Sequence, residues 1–165
     1  MKPILPPAML GILGGGQLGS MFTVAAKTMG YKVTVLDPDA NAPAARFADR
    51  HLCAAFDDAD ALAELAKCAA VTTEFENVDA AAMRELARHT RVSPSGDCVA
   101  VAQNRIIEKG RVRAAGLQTV EYQVVMSETD INESCAALLP AILKTATLGY
   151  DGKGQVRVKT LDEAR

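Results

Sequence analysis

Met9-Leu-Gly-Ile-Leu13 runs directly into Gly14-Gly-Gly-Gln-Leu-Gly19, and the reading of this stretch decides the fold. A short apolar run stopped by glycines reads as a buried strand followed by a tight turn. Gln17 to about Met29 then carries Leu18, Met21, Phe22, Ala25 and Met29 at helical spacing, with Gly30 as the stop. On that spacing Met21 and Met29 are core positions of the helix. Lys32–Leu36 is a second, β-branched strand, closed by Asp37-Pro38.

The same alternation continues outward. His51–Ala55 and Ala70–Phe75 read as strands, and Ala59–Cys68 and Asp79–His89 as helices. Strands alternating with helices predict an α/β domain, a doubly wound parallel sheet with right-handed crossovers. Ligands of such sheets sit beyond the carboxyl ends of the strands. The glycine cluster, Asp37 and the Glu74/Glu76 pair all fall at such ends.

After the turn-rich Val92-Ser-Pro-Ser-Gly96 the pattern changes. A helix-rich stretch covers about Asp97 to Ala115, with Gly116 ending it. A strand over Thr119–Val125, a helix over Glu128–Leu139 and a strand over Ala141–Thr145 follow. The glycine-rich loop Leu148–Gly154 leads to a last strand, Gln155–Lys159. We expect two domains, 1–96 and 97–165, the second holding linker helices and the beginning of an α+β domain. Leu161-Asp-Glu-Ala-Arg165 reads as the first turn of a helix rather than a natural end.

Composition excludes several classes of function. A formal charge of −2 gives no footprint for nucleic acid or an anionic membrane surface. No apolar run is long enough to span a bilayer. Cys53, Cys68, Cys98 and Cys135 form no C-x-x-C pair and read as reduced thiols of a cytoplasmic protein. His51 and His89 have no paired ligand and read as structural.

Gly14, Gly16 and Gly19 satisfy G-x-G-x-x-G between a strand and a helix, and Asp37 stands where a ribose-binding acid would. This is the dinucleotide fingerprint, and it predicts a nicotinamide or flavin enzyme. Backbone amides at a helix N-terminus hold any phosphate, however, including that of a mononucleotide. A turn without ligand is the third reading. The segment Lys144-Thr-Ala-Thr-Leu-Gly149-Tyr-Asp-Gly-Lys-Gly154-Gln155 serves no purpose in a simple dehydrogenase. A lysine ending an apolar strand, then a glycine-rich loop, then another strand suits a nucleoside triphosphate. No Gly-Lys-Ser/Thr opens a helix here, so it is not a Walker A loop.

Four motifs in this order resemble the N5-carboxyaminoimidazole ribonucleotide synthetases, a family of ATP-grasp ligases of purine biosynthesis. They are Gly14–Gly19, Thr73-Glu74-Phe75-Glu76-Asn77-Val78, Gln103-Asn-Arg105 with Glu108-Lys109, and Gly149-Tyr-Asp-Gly-Lys-Gly-Gln155. The resemblance spans essentially the whole chain but corresponds to the N-terminal part of a longer enzyme. It implies ATP-dependent carboxylation of aminoimidazole ribonucleotide with bicarbonate, through carboxyphosphate, with ATP and Mg²⁺ as cofactors, in a homodimer. Magnesium ligands would lie downstream, with none in this chain, and the isolated piece would be inactive.

By that resemblance Gly15, Gly16, Gln17 and Leu18 hold the substrate phosphate through backbone N–H groups, and Glu74 accepts from the ribose hydroxyls. Arg105, Lys144, Gly149, Tyr150, Asp151, Gly152, Lys153, Gly154 and Gln155 would bind ATP. Tyr150, Asp151 and Lys153 would act at the reacting centre, Asp151 on the amine proton and Lys153 on developing negative charge. The chain departs from the family twice: Ser20 replaces a usual Arg, and Lys153 stands where many members carry Arg. The competing readings are another ATP-grasp purine enzyme such as a formate-using transformylase, an NAD-dependent oxidoreductase using Gly14–Gly19, and a non-catalytic nucleotide-binding fragment.

Overall fold

In the computed structural model, which describes residues 2–149 and 152–165, the chain divides into two compact units, 1–100 and 101–165. The first is built on β1 (Met9–Leu13), β2 (Lys32–Leu36), β3 (Arg50–Leu52), β4 (Ala70–Thr73) and β5 (Arg91–Val92). They form one sheet in the order β3-β2-β1-β4-β5, and every pairing is parallel. Central parallel strands are covered on both faces, which is why β1 is a continuous apolar run and β2 buries all but Lys32. Ile12, Leu13, Val33, Val35 and Leu36 are all buried.

Strand alternation divides these side chains between two cores. Ile12, Val33 and Val35 pack with Ala26 of α1 (Gln17–Thr28). Leu13 and Leu36 pack with Leu65 of α2 (Ala59–Leu65) and with Met83 and Leu86 of α3 (Ala80–Leu86). Helices on both faces make the sheet doubly wound, as the alternating pattern predicts. Asp58 caps α2 and Asp79 caps α3, each accepting from a first-turn amide that has no intrahelical acceptor. Asp49 ties α1 to β2 by bonding Lys27 Nζ at 2.9 Å and Val33 N at 2.8 Å. The Lys27 bond, with the Val33 amide second, lowers its carboxyl pKa below the usual value.

One expectation about α1 is overturned. Leu18, Met21 and Met29 are 60%, 63% and 66% exposed, while Gly19, Thr23 and Ala26 face the sheet. Apolar residues lie on both sides of this helix, and the side chosen is the one small enough for close approach. The Thr23 hydroxyl donates to the Gly19 carbonyl at 2.7 Å, so its burial leaves no polar group unsatisfied. The edges of the sheet also differ from expectation. β3 is shorter than His51–Ala55, and β5 takes in Val92, read as the first residue of the turn-rich break. Both are edge strands, held by a single neighbour.

α4 (Gly96–Ala102) and α5 (Arg105–Ala114) replace the one helix-rich stretch expected. The break falls at Asn104, whose side chain accepts from the amides of Ile106 and Ile107 and starts a new helix. The expected helix 128–139 is likewise divided. Asp130 takes the amides of Met126 and Ser127, and Asn132 takes that of Ser134 to open α6 (Glu133–Ala136). Among the described residues, 119–125 joins no ladder and forms no strand. Its Tyr122 ring instead receives Lys109 Nζ at 5.0 Å and the Arg113 guanidinium at 4.6 Å, both from α5. β6 (Ala141–Lys144) pairs antiparallel with β7 (Gln155–Val158), and α7 (Leu161–Ala164) follows. No helix is long and apolar enough to cross a membrane among the described residues.

A buried strand residue and an exposed residue of α1 give a direct comparison. Leu36→Ala, which opens a fully buried site, should lower unfolding free energy in urea by about 2–5 kcal/mol. Met21→Ala should stay within about 0.5 kcal/mol of wild type.

Candidate functional site

The β1–α1 turn gathers the ends of three strands. Gly14 N donates to the Leu36 carbonyl at 2.9 Å, and Glu74 N to the Leu13 carbonyl at 3.0 Å. Two carboxylates then grip the turn itself. Asp37, at the end of β2, accepts from Gly15 N at 2.7 Å, and Glu74, just past β4, accepts from Gly19 N at 2.6 Å. Both bonds are charge-assisted, and Gly19 lies in the first turn of α1, where the helix dipole favours an anion.

Gly15, Gly16, Gln17, Leu18 and Glu74, expected together at the substrate phosphate and ribose, are together at this strand end. Their roles are not equivalent. The Gly15 amide is committed to Asp37, which removes it from the expected phosphate donors. The first-turn amides of Gly16, Gln17 and Leu18 have no intrahelical acceptor, and none reaches them among the described residues. Asp37 is a brace of the turn, for its other oxygen accepts from Asp39 N at 2.8 Å. The His51 ring lies against the Asp37 carbonyl at 3.1 Å, and His89 pairs with Glu85. Both are structural contacts.

In the second unit the glycine-rich loop is held at its base. Thr145 N donates to the Gly154 carbonyl at 2.8 Å, continuing the β6–β7 hairpin. Arg105, the first residue of α5, donates from its backbone to Ala146 at 2.9 Å and from its guanidinium to the Gly149 carbonyl at 3.0 Å. The Thr145 side chain packs so closely on Gly149 and Gly154 that a methyl group at either would lie closer than 3.0 Å to its hydroxyl. Gly154 also has φ +67°, which disfavours any other residue.

Lys144 and Gln155 are cross-strand partners at the loop end of this hairpin. Gly152 and Lys153 lie in the loop, with Lys153 exposed. Tyr150 and Asp151, expected at the reacting centre, lie outside the described residues. A cleft of about 200 Å³ beside the hairpin is lined by Arg105, Lys109, Tyr122, Ile142, Lys144 and Ala146. A second, of about 390 Å³, shares Lys109, Tyr122 and Lys144. Apolar walls with cations at the rim suit a nucleotide. Sequence reasoning gave no site role to Lys109, quoted only within a motif, and missed Thr145 and Tyr122, which neither spacing nor residue type sets apart. Among the described residues no group of three or more His, Cys, Asp or Glu is placed to hold a metal.

This architecture defines a class. The chain belongs to the family of the ribonucleotide synthetase pre-ATP-grasp domain, whose family model matches residues 8–103, and an ATP-grasp domain model matches residues 110–165. The particular resemblance is to N5-carboxyaminoimidazole ribonucleotide synthase: that of Brucella melitensis is 43% identical over 162 residues, covering 97% of this chain and 45% of that protein. The structure of the Staphylococcus aureus enzyme complexed with ADP superposes with a TM-score of 0.92 at 37% identity, over 99% of this chain and 44% of that one. The Aspergillus clavatus enzyme in complex with ADP and 5-aminoimidazole ribonucleotide gives 0.81 at 31% identity, over 94% and 42%. The chain therefore spans less than half the length of these relatives.

If Arg105 secures the loop base, Arg105→Ala should speed hydrogen exchange at the Thr145 amide. One hydrogen bond of about 1 kcal/mol corresponds to roughly fivefold. Amide exchange followed by NMR checks it, with core amides of β1 unchanged.

Proposed function

We propose that this chain is the N-terminal part of an ATP-grasp ligase that carboxylates 5-aminoimidazole ribonucleotide. Bicarbonate and ATP are the other substrates, and N5-carboxyaminoimidazole ribonucleotide, ADP and phosphate are the products. The observation that carries the reading is the resemblance to enzymes of that name through both glycine loops in one alignment, 43% identical over 162 residues. The first unit would take the ribonucleotide. Amides of Gly16, Gln17 and Leu18 would receive its phosphate, and Glu74 Oε1 would accept from the ribose hydroxyls, since Oε2 is engaged by Gly19. Ser20, in place of a usual Arg, leaves the phosphate to these backbone donors.

The second unit would take ATP. Lys144 and Arg105 line the cleft beside the hairpin and would neutralise phosphate charge there. Gly149, Gly152, Gly154 and Gln155 would bring backbone and amide donors over the remaining phosphates. ATP activates bicarbonate as carboxyphosphate, which the exocyclic amine of the ribonucleotide then attacks. Lys153 would stabilise negative charge developing on that intermediate, and Asp151, beside Tyr150, would accept the amine proton. Magnesium belongs to this chemistry by family, but the described residues offer no ligand set, so no step is assigned to it. The enzyme would act in the cytoplasm as a homodimer.

The test is ADP release by the uninterrupted gene product, omitting ribonucleotide, bicarbonate and magnesium in turn. ADP release that requires the ribonucleotide, with carboxylated product that requires bicarbonate, is the expected outcome. Ribonucleotide-independent ADP release, or none, would overturn the assignment. Lys144→Met should raise KM for ATP at least about tenfold, the scale of one lost charge-assisted bond.

A further inference from the structure

Gly16, the second glycine of Gly14-x-Gly16-x-x-Gly19, has a use inside the chain that differs from its use in dinucleotide enzymes. There the second glycine lets the backbone approach a pyrophosphate, and the third allows helix and strand to pack closely. Here a methyl group on Gly16 would lie closer than 3.0 Å to Glu74 Oε1. One on Gly19 would lie equally close to Glu74 Oε2 and to the Gly14 carbonyl. Gly16 has φ −70°, a conformation open to any residue, so it is the neighbouring carboxylate that leaves no room for a side chain. Glu74 is fixed in that place, because its own amide bonds Leu13 and its carboxylate bonds Gly19.

We propose that Glu74 is a specificity-determining residue: its carboxylate occupies the position a dinucleotide's pyrophosphate would take and closes this fingerprint to dinucleotides. A fixed negative charge in contact with the turn repels phosphate oxygens, whereas it accepts hydrogen bonds from hydroxyl donors. The turn therefore takes a ribose diol at the carboxylate and a single phosphate at the free amides of Gly16, Gln17 and Leu18. The exclusion of dinucleotides rests on the turn's own geometry. It stands apart from the reaction proposed above, and the placing of the diol and phosphate rests on that reading.

Two measurements on the ¹⁵N-labelled chain test it. Glu74→Ala removes both the charge and the side chain that fills the position. In an NADH titration, the amide resonances of Gly16, Gln17, Leu18 and Gly19 should stay fixed in wild type and move in Glu74→Ala, with an affinity gain of at least about tenfold. Equal responses in the two proteins would overturn the proposal. Because only these amides are read, nucleotide bound in the second unit does not confuse the result. For the packing itself, the loss in urea midpoint caused by Gly16→Ala should be at least halved in a Glu74→Ala background. An equal loss in both backgrounds would show that Glu74 does not set the need for glycine at 16. Failure of carboxylation with a positive NADH result would overturn the reaction but leave this assignment intact.

Discussion

The hydrogen bonds from Gly15 to Asp37 and from Gly19 to Glu74 fix the turn on which the first unit depends. An ionised acceptor makes each worth about 1.5–3 kcal/mol, more than a neutral pair. They join the turn after β1 to the ends of β2 and β4, its two neighbours in the sheet. With the turn held there, α1 leaves it close against the sheet, and only a face of Gly19, Thr23 and Ala26 fits. The larger Leu18, Met21 and Met29 are then turned outward. One electrostatic constraint therefore decides the entry of the helix, its buried face and the shape of the strand-end site.

Much of this was legible in the sequence. The limits of β1 and β2 follow from apolar runs stopped by glycine and by Asp-Pro, and the parallel sheet follows from their alternation with helices. The face of α1 was not legible, because periodicity weighs apolarity and the packing here selects for size. Nor was the pairing of Asp37 with Gly15, a contact across 22 residues that no local pattern announces. Where Asn104 and Asn132 capped new helices and Asp130 took the amides of Met126 and Ser127, side chains competing for backbone amides divided what periodicity alone would run together.

The second unit shows the same logic in another form. Its glycine-rich loop was conspicuous as sequence, yet what secures the loop is Arg105 on Gly149 and Thr145 on Gly154. Arg105 was read as a phosphate contact, and its guanidinium has a structural bond as well. The residues 119–125 alternate as a strand should, but a strand requires a ladder partner, and here Tyr122 is stacked on the cations of α5 instead. The family models match both units in order, so one glycine loop falls in a pre-ATP-grasp domain and the other in an ATP-grasp domain.

The most direct test of the central constraint is the scalar coupling across the hydrogen bond between Gly19 ¹⁵N and the Glu74 side-chain carboxyl ¹³C. A resolved correlation, with the Gly19 amide protected from exchange, is the predicted result. No correlation, with a Gly19 amide exchanging as fast as an exposed first-turn amide, would contradict it and leave the glycine turn without its internal anion.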